Sequence, residues 1–215
     1  MYYFLIALIG YLIGSIPTAY ILLRKKKGID ITRIGSGNVG AMNAFETTNS
    51  KIIGTAVLVL DLLKGMLVVF LTGLFFPDSF LYCAVSLLAA VTGHCYSVWL
   101  NFKGGRGLAT AAGGLILFIP HLVILWLLFW LIAYLFRKNI HFANSVALIL
   151  LGILSFTSRN VLAKYSSPEP ETPVYYGVFT IVLVSIIMSK HILPLIDYFK
   201  EEKKKFKRDG FYEKK

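Results

Sequence analysis

Long apolar stretches with scarcely a charged residue in them succeed one another from Tyr2 to His191, and a lipid bilayer is the environment that accommodates them. A helix crossing the hydrocarbon core needs about 20 apolar residues, each rising about 1.5 Å. Residues 2–23, 52–76, 80–100, 142–163 and 174–191 each read as one span. The stretch 108–136 is too long for one. Pro120, near its middle, removes an amide donor and clashes with the preceding turn, so two spans are expected to meet near Pro120 and His121. The first apolar run lacks a basic start and a small-residue cleavage site, and reads as a retained span.

Charge orients the spans. The segments 24–51, 101–107, 137–141 and 190–215 hold 19 of the 22 Lys and Arg residues. The opposite face carries Arg159 and Lys164 beside Asp78, Glu169 and Glu171. Lys and Arg gather on the cytoplasmic side of membrane proteins. The chain therefore reads as an all-α integral membrane protein of seven transmembrane helices, N-terminus outside and C-terminus cytoplasmic. Residues 1–199 form the membrane unit and 200–215 a basic cytoplasmic tail. The formal charge of +11 belongs to this asymmetry and to anionic membrane lipids, and nucleic acid is not an expected partner. Cys83 and Cys95 match no metal-ligand spacing and read as reduced, buried packing residues.

Two glycine-rich stretches emerge on the cytoplasmic face. The first is Gly35-Ser36-Gly37-Asn38-Val39-Gly40-Ala41-Met42-Asn43. Glycines let successive amides turn toward one point and leave room for an anion to approach. Ser36, Asn38 and Asn43 add neutral donors, and a helix starting near Ala41 would aim its free amides at a phosphate. A tight inter-span turn needs fewer glycines. The second stretch is Gly93-His94-Cys95-Tyr96-Ser97, then Asn101-Phe102-Lys103-Gly104-Gly105-Arg106-Gly107 and Thr110. Arg106 can grip a phosphate with two donors, and Lys103 adds a point charge. A positive-inside anchor explains those cations but not the glycines around them. The spacing is not that of a nucleotide-binding P-loop.

His94 adjoins the second loop, where a structural cap and a catalytic or orienting role are both open. Asp61 and Lys64, three residues apart in the second span, share one helical face. That pair reads as structural, supporting the first loop from behind. No Ser-His-Asp set or carboxylate pair is evident near the loops. The layout suits chemistry by positioning and anion stabilisation, with acyl chains arriving laterally and phosphates from the cytosol.

Taken together, these stretches resemble the bacterial acyl-phosphate-dependent glycerol-3-phosphate acyltransferases. The family's first motif, Ser-Gly-Asn-x-Gly-Ala-Thr-Asn-x-x-Arg, corresponds to residues 36–46, and its second, Gly-His followed by Phe-Lys-Gly-Gly-Lys-Gly-x-Ala-Thr, to residues 93–110. Gly14-Ser15-Ile16-Pro17 and Asp61-Leu62-Leu63-Lys64-Gly65 also fit. The resemblance implies acyl transfer from a fatty acyl phosphate to the 1-hydroxyl of glycerol 3-phosphate at the bacterial cell membrane, without metal or cofactor. By analogy Ser36, Gly37 and Asn38 hold the acyl phosphate, and Lys103 and Arg106 neutralise phosphate charge. His94 shapes the site or assists proton transfer, with Gly35, Gly40, Asn43, Gly104, Gly105, Gly107 and Thr110 completing the binding loops. Three positions depart from the pattern. Glu46 stands where the family has arginine, and in the third motif, which begins at His191, Pro194 and Asp197 replace asparagine and arginine. These departures admit a different hydroxyl acceptor, or a protein that binds acyl phosphate without turnover.

Overall fold

A computed structural model describes residues 2–212, with side chains described through residue 206. It comprises helices α1 (Tyr2–Ser15), α2 (Thr18–Lys27), α3 (Ala41–Thr48), α4 (Lys51–Phe75), α5 (Phe80–Cys95) and α6 (Leu108–Phe118). There follow α7 (Pro120–Arg137), α8 (Ile140–Thr157), α9 (Arg159–Leu162), α10 (Pro173–Ser189) and α11 (Ile192–Tyr212). Short polar residues set several starts. Ser50 accepts from Ile53 N–H ahead of α4, Ser79 from Tyr82 N–H ahead of α5, and Thr172 from Val174 N–H ahead of α10. Pro120 opens α7 at a position that needs no amide donor, so the long apolar stretch breaks where the proline dictates.

The structure alters several expected spans. The first runs on to Lys27 and is broken at Ile16–Pro17. The third ends at Cys95 instead of residue 100, because the chain there leaves the helix to form the second glycine-rich loop. Tyr2–Lys27, Lys51–Phe75, Pro120–Arg137 and Ile140–Thr157 are long and apolar enough to cross a membrane. The pair α10 and α11, bent by 54°, makes a fifth if taken together. With 16 and 11 residues, α5 and α6 are shorter. Length and composition therefore give four or five spans where the sequence reading gives seven. The helix α11 passes without interruption through the expected boundary at 199.

Small residues bring the helices close, as is usual where no water drives them together. A Cβ on Gly14 of α1 would lie 2.0 Å from the Ala90 carbonyl oxygen of α5. One on Gly113 of α6 would lie 1.9 Å from the Leu62 carbonyl oxygen of α4. Two apolar clusters result. Phe80, Leu87, Phe118, Leu148, Tyr176 and Phe179 belong to one, spanning α5, α6, α8 and α10. Leu23, Val39, Ala44, Ile53 and Val57 belong to the other, around α2, α3 and α4. Cys83 and Cys95 are free and buried in the first. Both glycine-rich loops lie at the junction of these clusters.

Candidate functional site

The first loop is shaped by one side chain. Asn43, 1 % exposed, donates through Nδ2 to the carbonyls of Ile34 at 3.1 Å and Asn38 at 3.0 Å, and reaches Ile31 O at 3.4 Å. Its Oδ1 accepts from Ser36 N–H at 3.1 Å and Thr47 Oγ1 at 3.4 Å. These bonds curl residues 31–38 around the start of α3. Asn43 thus borders the site, but its amide is engaged inside the loop. The helix expected near Ala41 starts there, and Gly40 provides no side-chain cap.

The second loop hangs from α1 and α5. Ser97 Oγ donates to Ser15 O at 2.6 Å, Trp99 Nε1 to Ser15 Oγ at 2.9 Å, and Tyr11 OH to Tyr96 O at 2.7 Å. The chain reverses through Asn101 and Phe102, both at positive φ, and Ser97 bridges back to Lys103. Gly105 N–H donates to His94 O at 3.0 Å, and Val39 N–H to Gly104 O at 3.2 Å. That last bond joins the two loops. Gly107, at φ +86°, then starts α6 with no side-chain cap.

Two connected cavities open between the loops. The inner one, about 260 Å³, is bordered by the start of α3 (Gly40–Asn43), the start of α6 (Gly107–Ala109) and the first turns of α8. His94, Asp61, Glu46 and Leu58 also line it. The outer one, about 870 Å³, lies between Lys103, Gly104 and the corner where α10 meets α11, with Lys190, Pro194, Asp197 and Glu201 on its walls. Ser36, Asn38, Arg106 and His141 border both.

Two uncapped helix starts border the inner cavity. The first three amides of a helix have no intrahelical acceptor, and α3 and α6 both present theirs uncapped. In α8, by contrast, Asn139 Oδ1 accepts from His141 and Phe142 N–H, each at 2.9 Å. Arg106, half-buried, has an Nη1 3.3 Å from His141 Nδ1. Burial lowers the basicity of its guanidinium, and Glu46 opposes that shift. The rim is apolar and accessible: Met42, Leu58 and Ile140 are exposed large hydrophobics.

Of the residues singled out from sequence, Ser36, Gly37, Asn38, Gly40, Asn43, His94, Lys103, Gly104, Arg106 and Gly107 border one cavity or both. Gly35, Gly105 and Thr110 line neither. Gly35 holds the turn against Asn43, Gly105 lies behind the His94 ring, and Thr110 is fully buried with an unpartnered hydroxyl. The third-motif residues divide. His191 is buried, its Nδ1 2.9 Å from Ile187 O and its Nε2 3.4 Å from Asn144 Nδ2, so it locks α10 to α8. Pro194 and Asp197 line the outer cavity.

Sequence reasoning missed three features. It read Asp61 as paired with Lys64 behind the first loop, and did not foresee that Asp61 Oδ1 lies 3.6 Å from His94 Nδ1. The signal was its place in an apolar span, which the spacing to Lys64 had explained as a structural pair, and that pair forms at 3.0 Å. It passed over His141, whose signal was a histidine in the first turn after an Asn cap. It also passed over Lys190, whose ammonium stands 3.9 Å from the centre of the Tyr96 ring.

Residues 4–199 match the family described as glycerol-3-phosphate acyltransferase. A glycerol-3-phosphate acyltransferase of Helicobacter acinonychis is 37% identical over 189 residues, 81% of this chain and 84% of the relative. One of a Wolbachia endosymbiont of Brugia malayi is 31% identical over 204 residues, 94% of this chain and 98% of the relative. Among solved structures, PlsY (YgiH), an integral membrane glycerol 3-phosphate acyltransferase in its glycerol 3-phosphate form, aligns with a TM-score of 0.76. That match is 28% identical and covers 94% of each chain.

Proposed function

The chain belongs to the glycerol-3-phosphate acyltransferase family, and from that premise we propose that it transfers a fatty acyl group from an acyl phosphate to the 1-hydroxyl of glycerol 3-phosphate. The products are lysophosphatidate and inorganic phosphate, in phospholipid synthesis. The observation that carries this reading is the meeting of two uncapped helix starts with Arg106 at a cavity whose rim is apolar. The amides and guanidinium hold the acyl phosphate's phosphate, while its chain leaves past Met42, Leu58 and Ile140 into lipid. The acceptor enters the outer cavity, where Lys103 and Lys190 attract its phosphate. Its hydroxyl oxygen bonds the acyl carbon, the bond from that carbon to the phosphate oxygen breaks, and phosphate leaves with the electron pair and takes up the hydroxyl proton. Holding both partners in register supplies much of the acceleration.

The same reading places the site on the cytoplasmic face of a bacterial cell membrane, N-terminus outside, with residues 200–215 as a cytosolic tail. Seven apolar helical segments support seven crossings: α1 with α2, α4, α5, α6, α7, α8 and α10. The short α5 and α6 fit this count if the loop between them dips below the membrane surface, which irregular backbone tolerates where it lines a polar cavity. Cysteines placed at 28 and 170 and labelled from either side of inverted vesicles test the orientation. Opposite labelling of the two is expected, and same-side labelling sinks the odd count.

The activity is tested by phosphate release from palmitoyl phosphate by detergent-purified protein, with and without glycerol 3-phosphate, while the lipid product is followed. Release that depends on the acceptor and yields lysophosphatidate is expected. Glu46, Asp197 and Glu201 on the cavity walls favour one second reading, an acceptor without a phosphate. Glycerol outcompeting glycerol 3-phosphate in the same assay would establish it.

A further inference from the structure

Lys200, Lys203, Lys204 and Lys205 of α11 are all exposed, and none of them lines either cavity. Among the described residues only Lys200 has an acidic neighbour, Asp197 at 3.8 Å. Four cations that touch no substrate cavity and are largely unpaired call for another anion. The same helix carries an exposed apolar stripe. Ile192, Ile196, Phe199 and Phe206 are between 42 % and 81 % exposed, and their spacing of four, three and seven residues sets them on one face. Lys203 falls within that stripe, and Lys200 and Lys204 flank it. Pro194, Asp197 and Glu201, which wall the outer cavity, lie on the other side of the helix.

The course of α11 is fixed by its contacts. It is bent by 54° from α10, and His191, just before it, meets Asn144 near the start of α8. The rings of Tyr198 and Phe199 lie 6.0 and 6.3 Å from that of Phe142, and Arg137 Nη1 donates to Glu202 Oε1 at 2.9 Å. Tyr198 OH donates to the same carboxylate at 2.8 Å. From Ile192 to Glu202 the helix advances about 15 Å, yet its partners stay within a turn of the corner between α7 and α8. It therefore runs along the end of the bundle and does not leave it.

Resting on the reading of α10 as a membrane crossing, we propose that α11 is an interfacial helix that docks on the anionic headgroups of the bilayer in which the protein sits. Ile192, Ile196, Phe199 and Phe206 enter the boundary between headgroups and acyl chains, while Lys200, Lys203 and Lys204 meet lipid phosphates. Lys203 reaches them from within the stripe because its long stem can lie along apolar surface with the ammonium in the headgroup layer. The occupant is lipid and not a soluble acidic protein, because the stripe begins three residues after the apolar α10 ends. It is thus continuous with the exposed apolar surface of the spans, to which Phe136 at the end of α7 also belongs. The charges divide in the same sense. The cations attend the stripe, Asp197 and Glu201 face the outer cavity, and Glu202 is held by Arg137. Docking therefore leaves the cavity wall free for the acceptor.

The test places one cysteine at a time in the full chain, labels it with a nitrobenzoxadiazole fluorophore and reconstitutes the protein in vesicles holding spin-labelled lipid. Cys83 and Cys95 are buried, so the parent protein is the labelling blank. Quenching of a label at Phe206→Cys is expected to be about three- to tenfold greater in vesicles containing phosphatidylglycerol than in phosphatidylcholine alone. A label at Glu201→Cys, on the cavity side, is expected to stay unquenched in both. Added salt should abolish the phosphatidylglycerol effect, and so should Lys200→Gln/Lys203→Gln/Lys204→Gln. The salt arm needs no charge variant, so it decides the matter even if the triple variant does not fold. Absent quenching at 206 would put α11 in water and leave its stripe to a soluble partner, and this overturns the proposal. Equal quenching in both lipids, equal quenching at 201, or a phosphatidylglycerol effect that survives salt and the triple variant overturns it too. A label at Val182→Cys in α10 is expected to be quenched by lipid spin-labelled deep in its chain, whatever the headgroup. Loss of quenching there defeats the reading of α10 as a crossing, whereas loss at 206 alone defeats only the docking of α11.

Discussion

The two cavities share Ser36, Asn38, Arg106 and His141, yet their remaining walls are made differently. The inner one is enclosed by backbone: the starts of α3 and α6, the first loop curled around Asn43, and the bond from Val39 to Gly104 that ties loop to loop. The outer one is walled on one side by side chains at the α10–α11 corner, of both signs, including Lys190, Asp197 and Glu201. Among the described residues Asp197 pairs with Lys200, at 3.8 Å, with both side chains largely exposed. Backbone amides held by a hydrogen-bond network tolerate little change. Side chains reaching into water can be exchanged with modest cost. Under the proposed reaction the rigid cavity therefore suits the leaving phosphate, and the adaptable one suits selection of the acceptor. Of the three departures from the family pattern, Pro194 and Asp197 line the outer cavity and Glu46 lines the inner one.

The sharpest break of this comparison is at Arg106, which belongs to both cavities. Arg106→Ala is expected to reduce kcat/KM about 10²- to 10³-fold for palmitoyl phosphate, the loss typical of a fixed donor to a developing anion. Steady-state kinetics with each substrate varied in turn will measure it. A variant within threefold of wild type would leave Arg106 as a topology anchor and remove the main link between the two cavities. Asn43→Ala comes next. It strands buried carbonyls of the first loop, with an expected loss of about 1–3 kcal/mol of stability. The KM for acyl phosphate should rise several-fold while that for glycerol 3-phosphate stays constant. Thermal melts and the two KM values separate this from a general failure to fold. Equal rises in both would mean that the first loop supports the whole site.

Where the sequence was legible, a single local signal sufficed. Pro120 marked the turn between α6 and α7, and glycines at 35–40 and 104–107 marked the two loops, because both residue types act through their own backbone. The end of α5 at Cys95 was not legible. The apolar pattern continues to Leu100, and only bonds from Ser97 and Trp99 to Ser15, more than 80 positions away in sequence, show what stops the helix. The nearness of Asp61 to His94 was not legible for a similar reason. The partner Lys64 is three residues distant from Asp61 and visible in the sequence, whereas His94 is brought to it by the crossing of helices. Non-local contacts of this kind leave no periodic trace.

A smaller effect is expected at Lys190, which burial makes less basic than a free lysine and which no carboxylate pairs among the described residues. Its ammonium rests against the Tyr96 ring, whose hydroxyl in turn lies 2.6 Å from Ser189 Oγ. Lys190→Gln should raise the KM for glycerol 3-phosphate about 5- to 10-fold, equivalent to about 1 kcal/mol, and leave that for palmitoyl phosphate unchanged. The rise should weaken with added salt, since an exposed ionic contact is screened. A change confined to the acyl phosphate would reverse the assignment of the two cavities.

The smallest effect is expected at Glu46, and its sign carries the information. Glu46 lines the inner cavity beside Arg106 and His141, and its charge opposes the burial that makes the Arg106 guanidinium less basic. It is exposed, so its field is partly screened by water. A carboxylate beside an anion site repels an anionic substrate, but it also offers Arg106 a partner that fixes the guanidinium in place. If repulsion dominates, Glu46→Gln lowers the KM for an anionic substrate two- to threefold and leaves kcat alone. If orientation dominates, kcat falls while KM changes little. The exposed position of Glu46 favours the first result, because a charge contact screened by water holds a long side chain only weakly. The substrate whose KM responds then locates the charge: a change for palmitoyl phosphate places Glu46 against the donor, and a change for glycerol 3-phosphate extends the acceptor's reach past Arg106 into the inner cavity.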